Sequence, residues 1–132
     1  MRNSIIALAM AFAALVIVPT VALPTSSDCT ETGTQSSDEI IGTKARDTIC
    51  ALGGEDYAHG KASADVVRGG PQSDTLVGGS GPDKLYGMDG NDDLFATDQG
   101  PGDVLQGGPG RDNCYGDKGD EFGASCEHKV KV

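Results

Sequence analysis

The sequence predicts an all-β repeat fold built from nine-residue units, and three observations carry that prediction. Aspartate recurs at Asp38, Asp47, Asp56, Asp65, Asp74, Asp83 and Asp92; two extra residues intervene, the phase resumes at Asp103 and Asp112, and Glu121 takes the next slot. Two positions after each aspartate stands an apolar or small residue: Ile40, Ile49, Ala58, Val67, Leu76, Leu85, Leu94, Leu105 and Cys114. Ahead of each aspartate lies a stretch that tends to glycine, fullest at Gly78-Gly79-Ser80-Gly81-Pro82-Asp83. Glycines supply the φ > 0 and close-approach conformations of a tight loop, so this half of the unit must turn. The three residues around the apolar position must extend, pointing one side chain inward and its neighbours out.

The pattern resembles the RTX family, whose Gly-Gly-x-Gly-x-Asp-x-U-x nonapeptide winds a parallel β-roll, a right-handed β-solenoid with two short strands per coil, around calcium. The best copies are Gly78 to Asp83, Gly107 to Asp112 and the near copy Gly87 to Asp92. Gly69 to Asp74 carries Gln72 in place of the third glycine, while Gly42 to Asp47, Ala51 to Asp56 and Gly60 to Asp65 lose one or more glycines. The resemblance covers roughly residues 38 to 121.

In order along the chain, residues 1–22 read as a signal peptide: Arg2, an apolar run from Ile5 to Val18, Pro19, and small residues Thr20 and Ala22 before a cleavage site. An uncleaved anchor is the competing reading, disfavoured by Pro19 and that site. Residues 23–37, rich in Ser and Thr, read as an N-terminal tail or cap; 38–120 as the roll; 121–132 as a C-terminal cap. All four cysteines follow the leader, which fits a secreted protein in an oxidising compartment. A zinc site lacks the paired CxxC spacing. With two nonapeptides per coil, as the resemblance implies, Cys50 and Cys114 stand about 17 Å apart, beyond the ~7 Å reach of a disulfide. The expected pairs are therefore Cys29–Cys50 and Cys114–Cys126, each stapling a terminus onto an end of the roll.

One inward residue per strand makes a thin core, and the net charge of −10 opposes compaction. Without the repeat, such a composition would suggest disorder. Calcium suits the deficit, because it takes six to eight oxygens from carboxylates and carbonyls in a flexible shell. The resemblance implies ions between loops on the same edge of the roll, eighteen residues apart. One edge then carries Asp56, Asp74, Asp92 and Asp112, the other Asp65, Asp83, Asp103 and Glu121. Candidate metal-binding residues are Asp56, Asp65, Gly69, Asp74, Gly78, Gly79, Gly81, Asp83, Gly87, Asp89, Gly90, Asp92, Asp103, Gly107, Gly108, Gly110 and Asp112, for about four Ca2+ ions. Asp89, Asp98 and Asp117 fall inside loops; Asp89 is a candidate extra ligand, and a solvated acid is the plainer reading.

The outward strand positions form two columns. Ile41, His59, Val77, Phe95 and Tyr115 line one sheet, and Cys50, Arg68, Tyr86 and Gln106 the other. The first column is read either as a face for a cell-surface or protein partner or as a cross-strand ladder supporting a thin sheet. The acidic balance disfavours nucleic acid, and no membrane span is expected after leader cleavage. Catalysis is not expected: His59 and His128 are the two histidines, there is no HExxH, and Gly78-Gly79-Ser80-Gly81-Pro82 lacks the last glycine of GxSxG. The expectation is a secreted, non-enzymatic calcium-binding repeat protein that folds on binding its ions. The alternatives are an extracellular surface, adhesion or matrix module using the roll as a scaffold, and an accessory subunit of a secreted enzyme.

Overall fold

The computed structural model describes residues 28–132. The leader, its cleavage site and the start of the N-terminal tail lie outside the described residues. Twelve strands follow one another: β1 (Glu31–Thr32), β2 (Glu39–Ile41), β3 (Thr48–Cys50), β4 (Tyr57–Ala62), β5 (Val66–Pro71), β6 (Thr75–Ser80), β7 (Lys84–Asp89), β8 (Asp93–Ala96), β9 (Val104–Gln106), β10 (Asn113–Gly116), β11 (Glu121–Phe122) and β12 (His128–Lys131). The chain visits two sheets in alternation, β1-β3-β5-β7-β9-β11 and β2-β4-β6-β8-β10-β12, each six-stranded. Every neighbouring pair is parallel, so the protein is an all-β parallel solenoid with two strands per coil.

The nine-residue period sets this geometry. Two units return the chain to the same sheet, so Val67 pairs with Leu85 and Leu76 with Leu94. The two extra residues are absorbed between β8 and β9, and register resumes with Leu85 opposite Leu105. Each apolar position faces inward: Ile40, Ile49, Ala58, Val67, Leu76, Leu85, Leu94, Leu105 and Cys114 are buried in one continuous core, with Ala51, Ala96 and Cys126. At the ends the inward slots turn polar or aromatic. Glu31 stands opposite Ile49, Lys129 opposite Cys114, and Phe122 opposite Leu105. Disulfides Cys29–Cys50 and Cys114–Cys126, with Cα–Cα distances of 5.9 and 5.8 Å, close the two ends as expected.

One slot differs from the expectation. The aspartate position of the last coil is filled by Asp120, whose carboxylate accepts from the Asp103 N–H at 3.2 Å, and not by the exposed Glu121. The link after β10 is one residue shorter than the period, and packing gives the reason. The shortened link puts Phe122 in the inward slot against the core, where strict periodicity would have put Gly123.

On the outer face of the even-numbered sheet, Ile41, His59, Val77, Phe95 and Tyr115 stand in register, and Val130 continues the column. The Phe95 and Tyr115 rings stack, with centroids 4.7 Å apart and planes 5° from parallel. On the other sheet the Arg68 guanidinium lies 5.9 Å from the Tyr86 ring centroid. These contacts bind side chains to their neighbours one coil away, as a cross-strand ladder does. Among the described residues no helix is long and apolar enough to cross a membrane.

Candidate metal centre

The aspartates form two ladders, one along each edge of the roll. On the first, the backbone N–H groups of Asp38, Asp56, Asp74 and Asp92 donate to Oδ1 of Asp56, Asp74, Asp92 and Asp112 at 2.7 to 2.9 Å. Glu127 ends this ladder by accepting from the Asp112 N–H at 2.7 Å. On the second, Asp47, Asp65 and Asp83 donate to Oδ1 of Asp65, Asp83 and Asp103 at 2.7 to 2.8 Å. Each carboxylate is thus turned into the loop by a backbone donor one coil earlier. The other oxygen has no such partner. Oδ2 of Asp56, Asp65, Asp74, Asp83, Asp92 and Asp112 is buried and accepts no hydrogen bond. An orphaned buried carboxylate oxygen is costly and calls for an explanation.

The loops that hold these six oxygens share one backbone conformation, with positive φ at the second and fourth residues. The pairs are Leu52 (80°) and Gly54 (120°), Lys61 (84°) and Ser63 (84°), Gly70 (148°) and Gln72 (83°), Gly79 (107°) and Gly81 (114°), Met88 (78°) and Gly90 (151°), and Gly108 (114°) and Gly110 (150°). Loops 51–56 and 60–65, poor in glycine, therefore have the same backbone as the best copies. The conformation stacks carbonyls between coils. A methyl group at Gly60 would lie 2.6 Å from both Asp65 Oδ2 and the Gly78 carbonyl oxygen. At Gly69 and Gly87 it would meet Oδ2 of Asp74 and Asp92, and come within 2.7 and 2.6 Å of the Gly87 and Gly107 carbonyls. Bare glycine keeps open a space bordered by one carboxylate oxygen and a carbonyl from the next coil.

The side chains that adopt left-handed backbone without being glycine carry strain of about 1 kcal/mol each. Gln72→Gly and Met88→Gly are expected to relieve it and raise the denaturant midpoint of the roll. A lowered midpoint for both would mean that glycine's extra freedom in the unfolded chain outweighs the strain.

Burial is the main electrostatic influence at these carboxyls. It pushes Asp74 and Asp83 up to about 7, opposed by the backbone N–H that each accepts and reinforced by carboxylates one coil away. Asp92 and Asp103 rise to about 6 for the same reasons, and Asp56, Asp65 and Asp112 are also raised. Such a row takes up either protons or cations. Among the described residues no three His, Cys, Asp or Glu side chains converge on one point. A cation here would draw on loop carbonyls together with one or two carboxylates, an all-oxygen set that fits calcium and lacks the nitrogen and sulfur that zinc prefers.

Three loop acids are placed individually. Asp89 is exposed at the end of β7. Asp98 accepts from Gly81 N–H at 2.8 Å and Gly100 N–H at 2.7 Å, and Asp117, buried, accepts from Gln99 N–H at 2.6 Å. The exposure of Asp89 fits the solvated acid read from the sequence, and the last two are backbone acceptors that hold the enlarged loop.

The model of the RTX calcium-binding nonapeptide repeat matches the chain in four copies, at residues 32–67, 51–81, 68–99 and 102–120, which together exceed half its length. Neither the curated proteins nor the solved structures include a match.

Proposed function

The chain belongs to the family of RTX calcium-binding nonapeptide repeats, and from that premise we propose that it is a secreted protein whose roll is completed by calcium. The observation that carries this is a coincidence: the six loops with left-handed residues at their second and fourth places are the six whose aspartate leaves a buried oxygen unsatisfied. The ions sit between neighbouring loops on one edge. Loops 51–56, 69–74, 87–92 and 107–112 enclose three such gaps, and loops 60–65 and 78–83 enclose one, which supports about four ions. Asp56, Asp65, Asp74, Asp83, Asp92 and Asp112 supply carboxylate oxygens, and the loop glycines make room for carbonyls. Bound calcium neutralises the buried row. Ions that bind the rolled state and not the extended chain shift folding by mass action.

The two disulfides fit an oxidising environment, which supports an extracellular site of action. The aspartates are engaged in ladders and cradles rather than gathered in a cleft, which supports a binding module over a catalyst.

The test is far-ultraviolet circular dichroism of the oxidised chain from Leu23 onward during calcium titration, with magnesium as control. The expected result is a cooperative coil-to-β transition with calcium alone. A chain that is already β-structured in chelator at neutral pH, with no response to calcium, sinks the proposal.

A further inference from the structure

Two loops of the first coil solve the same electrostatic problem with hydrogen bonds, although a methyl at Gly42 would still meet Asp47 Oδ2 at 2.9 Å and the Gly60 carbonyl oxygen at 2.7 Å. In loops 33–38 and 42–47 the second residue is threonine, Thr34 or Thr43. The Thr34 backbone N–H and hydroxyl donate to Asp38 Oδ2 at 2.6 and 2.8 Å. Thr43 treats Asp47 Oδ2 identically, at 2.6 and 2.9 Å. Each hydroxyl also accepts a backbone N–H two residues on, from Ser36 and Ala45, at 3.1 Å. The oxygen that is orphaned in the six loops downstream therefore holds two hydrogen bonds here. No residue of these two loops has a positive φ. Their place in the ladders is nonetheless the ordinary one, since Asp38 and Asp47 donate to Asp56 and Asp65. The same coil is tied by Cys29–Cys50, by the Thr30 N–H to the Thr48 carbonyl at 2.7 Å, and by the Thr48 N–H to Thr30 Oγ1 at 2.9 Å.

We propose that the first coil is a metal-independent cap, in which Thr34 and Thr43 do by hydrogen bonding what a cation does downstream, so that residues 30–50 hold their register without calcium and template the coils that need it. This rests on the calcium reading above. The oxygen that lines the loop, Oδ2, is already doubly engaged in both, so Asp38 and Asp47 contribute none to ion binding. The roll is thereby polarised, with a preformed N-terminal edge onto which β4 and β5 dock as ions arrive.

Hydrogen exchange of the oxidised chain, read by mass spectrometry with and without calcium, tests this directly. In chelator, amides of residues 33–50 are expected to exchange at least about tenfold more slowly than those of loops 69–74 and 78–83. Calcium should then slow the latter. Exchange equally fast throughout in chelator, followed by calcium protection, overturns the cap and leaves the calcium reading standing. Exchange equally slow throughout in chelator overturns both. Thr34→Val with Thr43→Val keeps the shape but removes the hydroxyls, and should abolish the early protection. Asp38→Asn and Asp47→Asn are expected to leave the number of bound calcium ions in equilibrium dialysis unchanged, and a lower number overturns the cap.

Discussion

In chelator, the oxidised chain is expected to gain β structure as the pH is lowered from about 8 to about 5, the reverse of ordinary acid denaturation. The sign follows from the direction of the shifts. Burial raises Asp74 and Asp83 to about 7, and Asp92 and Asp103 to about 6, in the rolled state. In the unrolled chain these carboxyls titrate near 4. Between those values the rolled chain holds protons that the unrolled chain has released. Its stability is therefore fully present below the unfolded value and is lost as pH rises through about 6 to 7. On the calcium reading the cation competes with protons for the same oxygens, so its affinity for the rolled chain should weaken as pH falls below about 7, while the concentration needed for half-folding falls because protonation already favours the rolled state. Neutral isosteres separate charge from hydrogen bonding. Asp74→Asn and Asp83→Asn keep an acceptor for the Asp56 and Asp65 N–H groups while removing two buried charges. These variants should show more metal-free β structure at pH 8 and a blunted calcium response. A chain that stays unrolled in chelator down to pH 5, with Asn variants as calcium-dependent as the parent, would show that buried charge is not what calcium relieves.

The core was legible because burial tolerates no ambiguity at one inward residue per strand. The period named one inward side chain on every strand from β2 to β10, though not the buried Ala51 and Ala96, and the disulfide pairing followed from coil spacing. Where periodicity competed with packing it misled, as when Phe122 in place of Gly123 at the inward slot moved the last aspartate position to Asp120. The site was less legible, for a conformational reason. Leu52, Lys61, Ser63 and Gln72 are poor left-handed residues in isolation, and their loops looked degraded. Stacked neighbours impose the backbone on them, an effect of coil on coil that residue identity does not carry. The threonine locks had a local signal: Gly-Thr-x-x-x-Asp occurs at 33–38 and again at 42–47. Read against the nonapeptide, that threonine counts as a lost glycine; read by itself, a hydroxyl spaced to reach an aspartate is a side-chain turn.

Gly110→Ala is expected to be among the most damaging single substitutions, and Gly53→Ala among the mildest, although both are loop glycines. At Gly110, φ is 150°, a conformation essentially closed to side chains, and an added methyl would run into the Gly90 carbonyl oxygen of the preceding coil. Backbone cannot give way there without opening the gap between loops 87–92 and 107–112, one of the proposed ion positions. At Gly53 the φ is not left-handed, and the nearest obstacle is Gln35 Oε1 at 3.0 Å, the tip of a flexible side chain. The first change should cost about 3 kcal/mol, and the second less than about 0.5 kcal/mol. If about four ions bind in one transition, 3 kcal/mol spread over them raises the calcium midpoint about 3- to 4-fold. Calcium titrations of both variants by circular dichroism measure this. Should the two midpoints shift equally, contact between stacked loops would not be what limits rolling, and the carbonyl-lined gap could not be the seat of the ion.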